Sequence, residues 1–389
     1  MTRLLFVDDE PHVLEGLRRM MRRVRDQWEV RTANSGQEAL EIMAEWPAEV
    51  VVSDMRMPHM NGVELLNLIA AQYPEAVRLI LSGHTDREVI MQSAIVAHQF
   101  LAKPCNAETM VATLHRAKTV RELLGNPTIR DIVGRTMQLP CLSSTYDDLM
   151  RVLGTEGTTI KDVAEVVSRD LVLTARVMQL VNSSFFAMPR QMDSIVDAVG
   201  YLGMDVVRGL VAASKAFDEF ETVLGEKPLV DLFLHCVEVG SVCRQIALCE
   251  GMTVRDQGDA LLAGMLHDIG KLVLAQAFPS SFEAILHEET DWWPASEPDC
   301  RQAELSPAEV GAYLLGLWGF QNHIVEAVAY HEQPRKAPVI NFTLTSILHY
   351  ANAVVSGKPE TIDREYLVSV GKRDAMDRWA SNVEVRFAA

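Results

Sequence analysis

Two sets of residues in this 389-residue chain have types and spacing that suit chemistry. The first is spread over the opening third. Four short apolar runs each end in a charged or hydroxyl side chain. Leu4–Val7 runs into Asp8-Asp9, Val50–Ser53 into Asp54, Val77–Leu81 into Ser82, and Phe100–Ala102 into Lys103-Pro104. Parallel strands would bring all four ends to one edge, the carboxyl edge where open α/β sheets place their ligands. Three carboxylates in one crevice repel each other unless a divalent cation neutralises them, and hard oxygen ligands suit Mg²⁺. A lysine and a hydroxyl beside them complete a phosphoryl pocket, since positioning and charge neutralisation dominate phosphoryl transfer. Asp54 is then the candidate covalent nucleophile.

The second set centres on Met265-Leu266-His267-Asp268-Ile269-Gly270-Lys271. An adjacent His and Asp can both ligate a metal if other helices supply further ligands. The candidates are His235, His331 and His349. Packing and hydrogen bonding of a buried pair is the plainer account of the same residues. Lys271 reads as a solvated charge or a contact for a substrate phosphate.

The elements that must position these residues change character along the chain. Up to about residue 121 apolar runs alternate with amphipathic stretches, including a weaker run near Trp28–Thr32. That is the βαβα pattern of an open parallel sheet. Val50-Val51-Val52 suits a strand buried on both faces. From about residue 128 helix follows helix, broken by Gly or Pro. The expected division is 1–121, a connector at 122–135, a helical domain at 136–356, and a polar helix with a loose tail at 357–389.

Residues 1–121 resemble a bacterial two-component receiver domain. The resemblance rests on Val7-Asp8-Asp9-Glu10-Pro11, Ser53-Asp54-Met55-Arg56-Met57-Pro58, Asn61-Gly62, Ser82-Gly83 and Lys103-Pro104. It implies a flavodoxin-like, doubly wound, five-stranded parallel sheet. It further implies that Asp54 takes a phosphoryl group from a sensor histidine kinase or phosphotransfer protein. Asp9, Asp54 and the backbone carbonyl of Arg56 would ligate Mg²⁺, with Asp8 acting through water. Lys103 would pair with the phosphoryl oxygens and Ser82 would hydrogen-bond them. Phe100 stands at the family's aromatic switch, where a phenyl ring signals by packing alone. The face formed by the helix after Ser82, the Phe100 strand and the helix at 106–121 is the family's usual dimer surface, which allows a homodimer.

Residues 139–215 resemble the front half of the HDOD output domain, an all-helical, HD-like module found behind receivers. The carrying residues are Leu139-Pro140, Val163-Ala164-Glu165, Arg169-Asp170 through Leu180-Val181-Asn182-Ser183, and Ala198 to Gly203. Asn182 reads as a helix stop in the left-handed region. Residues 230–356 resemble the HD metallohydrolases, whose ligand pattern aligns with His235, His267, Asp268 and His331. Two departures mark this sequence. Pro307 stands where metal-dependent members carry a His, inside Ser306-Pro307-Ala308-Glu309, which reads as a capping box with a first-turn proline. Asn352 stands where they carry the closing Asp. No Gly-Tyr-Pro signature follows His267.

The resemblance therefore implies a response regulator whose HDOD part acts through a downstream signalling protein, with no organic cofactor. The rival reading is a phosphorylation-gated, metal-dependent phosphohydrolase of a nucleotide or cyclic dinucleotide. Charge weighs on the partners. The net charge is −17, of which residues 122–389 carry −15, so the helical part is a poor match for phosphate backbones and direct DNA binding is not expected. Arg18, Arg19, Arg22, Arg23 and Arg25 read as a solvated helix face. No run reaches the ~18 uncharged apolar residues of a membrane span. The six cysteines include no CxxC pair, and a cytoplasmic location is expected.

Overall fold

The valine- and leucine-rich runs of the first third do pair as strands. In the computed structural model they form one parallel sheet, β1 (Thr2–Val7), β2 (Trp28–Ala33), β3 (Val50–Asp54), β4 (Val77–Gly83) and β5 (Gln99–Lys103). Their order is β2-β1-β3-β4-β5. The structure describes residues 1–83, 96–123, 126–136, 139, 142–155, 157–183, 192–213, 226–286 and 306–387. The helix expected after Ser82, together with Pro140 and Cys300, lies outside them.

Register explains why the strand ends converge. Val7 pairs with Ser53, Asp54 with Leu81, and Gly83 with Lys103. The three central strands are buried on both faces, so their sequences are continuous apolar runs without alternation. Helix Pro11–Met21 buries Leu14, Leu17 and Met21 at helical spacing and leaves its arginines exposed.

Beyond helix Ala107–Leu123 the described elements are helical. The connector is itself a helix, Pro127–Arg135, with Asn126 as N-cap and Pro127 in the first turn. It is welded to the sheet domain. Arg78, 2% exposed, donates from Nη2 to the Gly134 carbonyl at 3.4 Å and from Nε to the Val96 carbonyl at 3.0 Å. Burial pushes its pKa down to about 10.

Several local expectations change. Asn182 ends helix Leu171–Val181 at φ −88°, not in the left-handed region. Its side chain instead holds the backbone of Met192, accepting from Met192 N at 2.6 Å and donating to Met192 O at 2.8 Å. Ser306 caps helix Pro307–Leu317 by accepting from Ala308 N at 3.1 Å, so the reciprocal box with Glu309 is replaced by a simple cap. The C-terminal stretch is anchored: helix Ala375–Phe387 buries Trp379, whose indole donates to Glu250 at 2.9 Å.

Two stretches, Lys227–Cys249 and Val254–Ala277, are long and apolar enough to cross a membrane by length and composition, with mean hydropathy 1.4 and 1.2. The sequence reading expected none. Burial within the helical domain accounts for them: 50% of the first window and 83% of the second are covered by protein.

Candidate functional site

The sheet edge assembles the first constellation. Asp8 is fully buried and Asp54 is 6% exposed. Lys103 reaches between them: its Nζ lies 2.7 Å from Asp8 Oδ2 and also pairs with Asp54 Oδ1. The backbone aims both acids. Glu10 N donates to Asp8 at 3.0 Å, and Arg56 N donates to Asp54 Oδ2 at 2.8 Å. Gly62 has a physical reason. A Cβ there would sit 2.1 Å from the Asp54 carbonyl oxygen, so only glycine lets helix Gly62–Gln72 start this close. Asn61 and Glu64 close a capping box at that start.

Burial raises the Asp54 carboxyl above the usual carboxylate range, and Asp8 adds to this against the pull of Lys103. Burial also opposes the Lys103 ammonium, but Asp54 and Asp8 together hold it above its ordinary pKa. Asp9 is exposed and lines an open cleft with Met55, Arg56, Pro58 and Asn61. Ser82 and Phe100 are buried on the adjacent strands, Ser82 opposite Ala102 and Phe100 opposite Ile80.

The second constellation also assembles, with a different make-up. His235 comes from helix Glu226–Cys249, His267 and Asp268 from the break between Val254–Leu266 and Ile269–Ala277, and His331 from the end of Asn322–Tyr330. Ligand atoms of His235, His267 and Asp268 lie within 4.8 Å of one another. The His267 ring centroid is 5.2 Å from those of both His235 and His331. His267 Nδ1 contacts Gly264 O at 2.7 Å and His331 Nδ1 contacts Val328 O at 2.8 Å. A carbonyl accepts only from N–H, so Nδ1 carries a proton in each ring and Nε2 is turned inward. His267 Nε2, His331 Nε2 and Asp268 Oδ2 are buried without a hydrogen bond.

His349 belongs elsewhere. Its Nδ1 donates to His331 O at 2.7 Å and its Nε2 accepts from Asp363 N at 2.8 Å, which consumes both nitrogens. Asn352 faces the cluster, with Oδ1 3.1 Å from His235 Nε2. Lys271 is not solvated. It is 4% exposed and its Nζ lies 2.9 Å from Asp268 Oδ2, an ion pair without hydrogen-bond geometry.

Charge follows from these neighbours. Burial alone would lower the His267 pKa, but Asp268 at 3.3 Å holds it well above the usual imidazole value. Burial would raise Asp268, yet His267 and Lys271 hold it well below the carboxylate range. Burial, with the His267 charge, pushes His235 down to about 4 and His331 to about 3. The arrangement is a buried ion-pair core in which one carboxylate faces two cations, imidazolium and ammonium, flanked by two neutral rings. It is also a set of ligand atoms at metal-binding separation.

Sequence reasoning misses a third group, which joins the two halves. Gln99 Nε2 donates to Leu317 O at 2.8 Å, Arg116 Nη1 to Gly319 O at 3.0 Å, and Gln179 Nε2 to the His98 carbonyl at 2.9 Å. None of these side chains sits in a motif, and each takes its meaning from a carbonyl distant in sequence.

Comparison with known proteins agrees with both halves. Residues 4–115 match the response regulator receiver domain and residues 139–334 match the HDOD domain. The hydrogenase transcriptional regulatory protein HoxA of Cupriavidus necator is 29% identical over 178 residues, 43% of this chain and 36% of that protein. The chain spans between 28% and 43% of the length of the first three curated relatives it matches. Among solved structures, the MmoQ response regulator from Methylococcus capsulatus is 19% identical with a TM-score of 0.48, covering 63% of this chain and 98% of its own. The signal receiver domain of an HD domain-containing protein from Pseudomonas fluorescens Pf-5 is 26% identical with a TM-score of 0.29, covering 31% and 97%.

Proposed function

The chain belongs to the HDOD family and carries a response regulator receiver domain ahead of that module, and from this premise we propose that Asp54 is its phosphoacceptor and that the HDOD domain is a non-catalytic output acting through protein–protein contact. The observation that carries the proposal is the Asp8–Lys103–Asp54 arrangement at an open sheet edge. An Asp54 oxygen attacks the phosphorus of a phosphohistidine on a kinase or phosphotransfer protein. The P–N bond breaks, an acyl phosphate forms, and the histidine nitrogen leaves with the electron pair. Lys103 moves from the carboxylates to the phosphoryl oxygens, and Ser82 supplies a hydroxyl donor. The acid-rich donor set, in which Lys103 is the cation between Asp8 and Asp54, fits a hard divalent ion. Asp8, Asp9, Asp54 and the Arg56 carbonyl would hold Mg²⁺, which supplies charge neutralisation at the transferring group. The acidic charge of residues 122–389 supports a protein partner over DNA, and the two long apolar helices among the described residues are 50% and 83% buried within the domain. This points to a cytoplasmic signalling protein.

The test is phosphoryl uptake from acetyl phosphate or a phosphorylated kinase, read on phosphate-affinity gels. Wild type incorporates one acid-labile, base-labile phosphoryl group, and Asp54→Asn incorporates none. Uptake by Asp54→Asn equal to wild type contradicts the assignment.

One observation favours the rival reading of a metal-dependent phosphohydrolase: ligand atoms of His235, His267 and Asp268 lie within 4.8 Å of one another, and His267 Nε2, Asp268 Oδ2 and the neighbouring His331 Nε2 are buried without a hydrogen bond. Against it stand Asn352 in place of a carboxylate, Pro307, and the ion pair that Lys271 and His267 make with Asp268. Turnover of cyclic dinucleotides or nucleotides by metal-loaded protein, lost in Asp268→Ala, would establish it.

A further inference from the structure

Helix Pro307–Leu317 runs from the segment that carries the His267-Asp268 pair to the receiver. It is buried along almost its whole length, including Val310, Ala312, Tyr313, Leu315 and Leu317. Eleven residues span about 16 Å at 1.5 Å per residue.

At its N-terminal end the helix touches the segment that carries the His-Asp pair. Gly311 faces Gly270, two residues after Asp268, so closely that a Cβ on Gly270 would lie 1.9 Å from the Pro307 carbonyl oxygen and 2.6 Å from Gly311 N. Backbone rests on backbone, with no side chain between to absorb a displacement. At its C-terminal end the helix meets the receiver. Gly316 accepts Val120, whose Cγ1 would be 2.7 Å from a Cβ there. The last carbonyls of a helix have no partner within it. Here the receiver supplies the partners: Gln99 caps Leu317 O, and Arg116 caps Gly319 O just beyond the helix. A guanidinium at a helix C-terminus is also favoured by the helix dipole. Trp318 is held from the other side by the Arg176 guanidinium, 4.2 Å from its ring centroid.

Gln99 is not a bystander in the receiver. It precedes Phe100 on β5 and lies four residues before Lys103. β5 is registered on β4 so that Ser82 pairs with Ala102 and Gly83 with Lys103. The strand pair that would respond at the phosphoryl group therefore carries, at its other end, the side chain that caps the helix.

We infer that helix Pro307–Leu317 is a strut that transmits the state of the receiver to the His267-Asp268 cluster, with Gln99 and Arg116 as the positioning residues that fix its C-terminal end. This rests on Asp54 as the phosphoacceptor. A shift of β5 toward a phosphoryl group weakens or strengthens the Gln99–Leu317 bond, which is the differential contact a two-state switch requires. The close Gly311–Gly270 contact passes the displacement to the turn holding Asp268, because packed backbones move as a unit.

Hydrogen–deuterium exchange of the full chain tests this, with and without beryllofluoride and Mg²⁺. Three regions are read: residues 78–83 with 99–103, residues 311–320, and residues 264–272. In wild type all three change, the second by about tenfold, the scale of one hydrogen bond to a buried acceptor. In Gln99→Leu and Arg116→Ala the receiver region still responds, whereas residues 264–272 no longer do. A wild-type response confined to the receiver overturns the strut, as does an undiminished response at 264–272 in both variants. No response in any region of wild type fails the phosphoacceptor reading itself, and the strut with it. The wild-type comparison needs no substitution, so a variant that folds poorly leaves the test intact.

Discussion

The two polar clusters are built from similar parts and offer a reagent different things. Each pairs a buried aspartate with a lysine, Asp54 with Lys103 and Asp268 with Lys271. At the sheet edge the lysine is partly exposed, and an open cleft is lined by Asp9 and by Met55 and Arg56, which follow the acid directly in the chain. In the helical domain the lysine, the aspartate and two of the three histidines are each under 5% exposed, and only His235 reaches intermediate exposure. A site fed from solution needs the first geometry. An ion pair that organises a core needs the second, where buried charges face one another. The same chemical letters thus stand in two different settings, and that difference supports the proposal of a reaction site in one and packing in the other.

The largest effect expected from breaking this contrast is at Asp54. Asp54→Asn abolishes phosphoryl uptake while leaving the thermal midpoint within a few degrees of wild type. Asp268→Ala does the reverse. It removes the carboxylate that faces the buried His267 imidazolium and the Lys271 ammonium, and breaking a buried ion pair from one side costs about 3–5 kcal/mol. A large loss in denaturant midpoint with phosphoryl uptake retained is the expected result, and an unchanged midpoint contradicts the packing role.

Gly316→Val sharpens the role of the junction. Replacing a helical glycine ordinarily stabilises by a few tenths to about 1 kcal/mol. Here the added carbons meet Val120, and overpacking of about 1–3 kcal/mol reverses the sign. Urea denaturation checks the direction.

A pH dependence follows from His98. Burial, then the Arg78 and Arg176 charges, hold its pKa well below 6.5, and its Nδ1 accepts from Arg78 N at 2.9 Å. A depressed folded pKa means the unfolded state takes up the proton first. The stability is fully present above the unfolded value and is lost as pH falls below 6.5, by up to about 1.4 kcal/mol per pH unit. Denaturation midpoints between pH 7 and 5.5 should fall less steeply in His98→Gln than in wild type. The smallest effect is at the cap: Ser306→Ala removes the bond to Ala308 N and costs about 1 kcal/mol.

That Asp8, Asp54, Ser82 and Lys103 come together can be read from sequence because each lies at the end of a strand, and strand ends in a parallel sheet share an edge. The His-Asp pair is equally visible, and so are Pro307 and Asn352 beside it. What sequence pattern does not carry is environment. Lys271 has the look of a solvated charge, yet it is buried because Asp268 faces it from one helical turn away. His349 looks like a ligand, yet two backbone groups claim its nitrogens. Gln99, Arg116 and Gly316 carry no local signature at all. Their roles exist only after helix Pro307–Leu317 has been laid against the receiver, a contact more than two hundred residues apart in the chain for Gln99 and Leu317.

The central claim is that one cluster reacts and the other packs. Metal analysis of purified, untagged, anaerobically prepared protein tests it most directly, with Asp268→Ala as the control. The account predicts transition metal well below about one ion per chain, unchanged by the substitution. About one ion or more per chain, lost in Asp268→Ala, would contradict it and make the helical domain a metallohydrolase candidate.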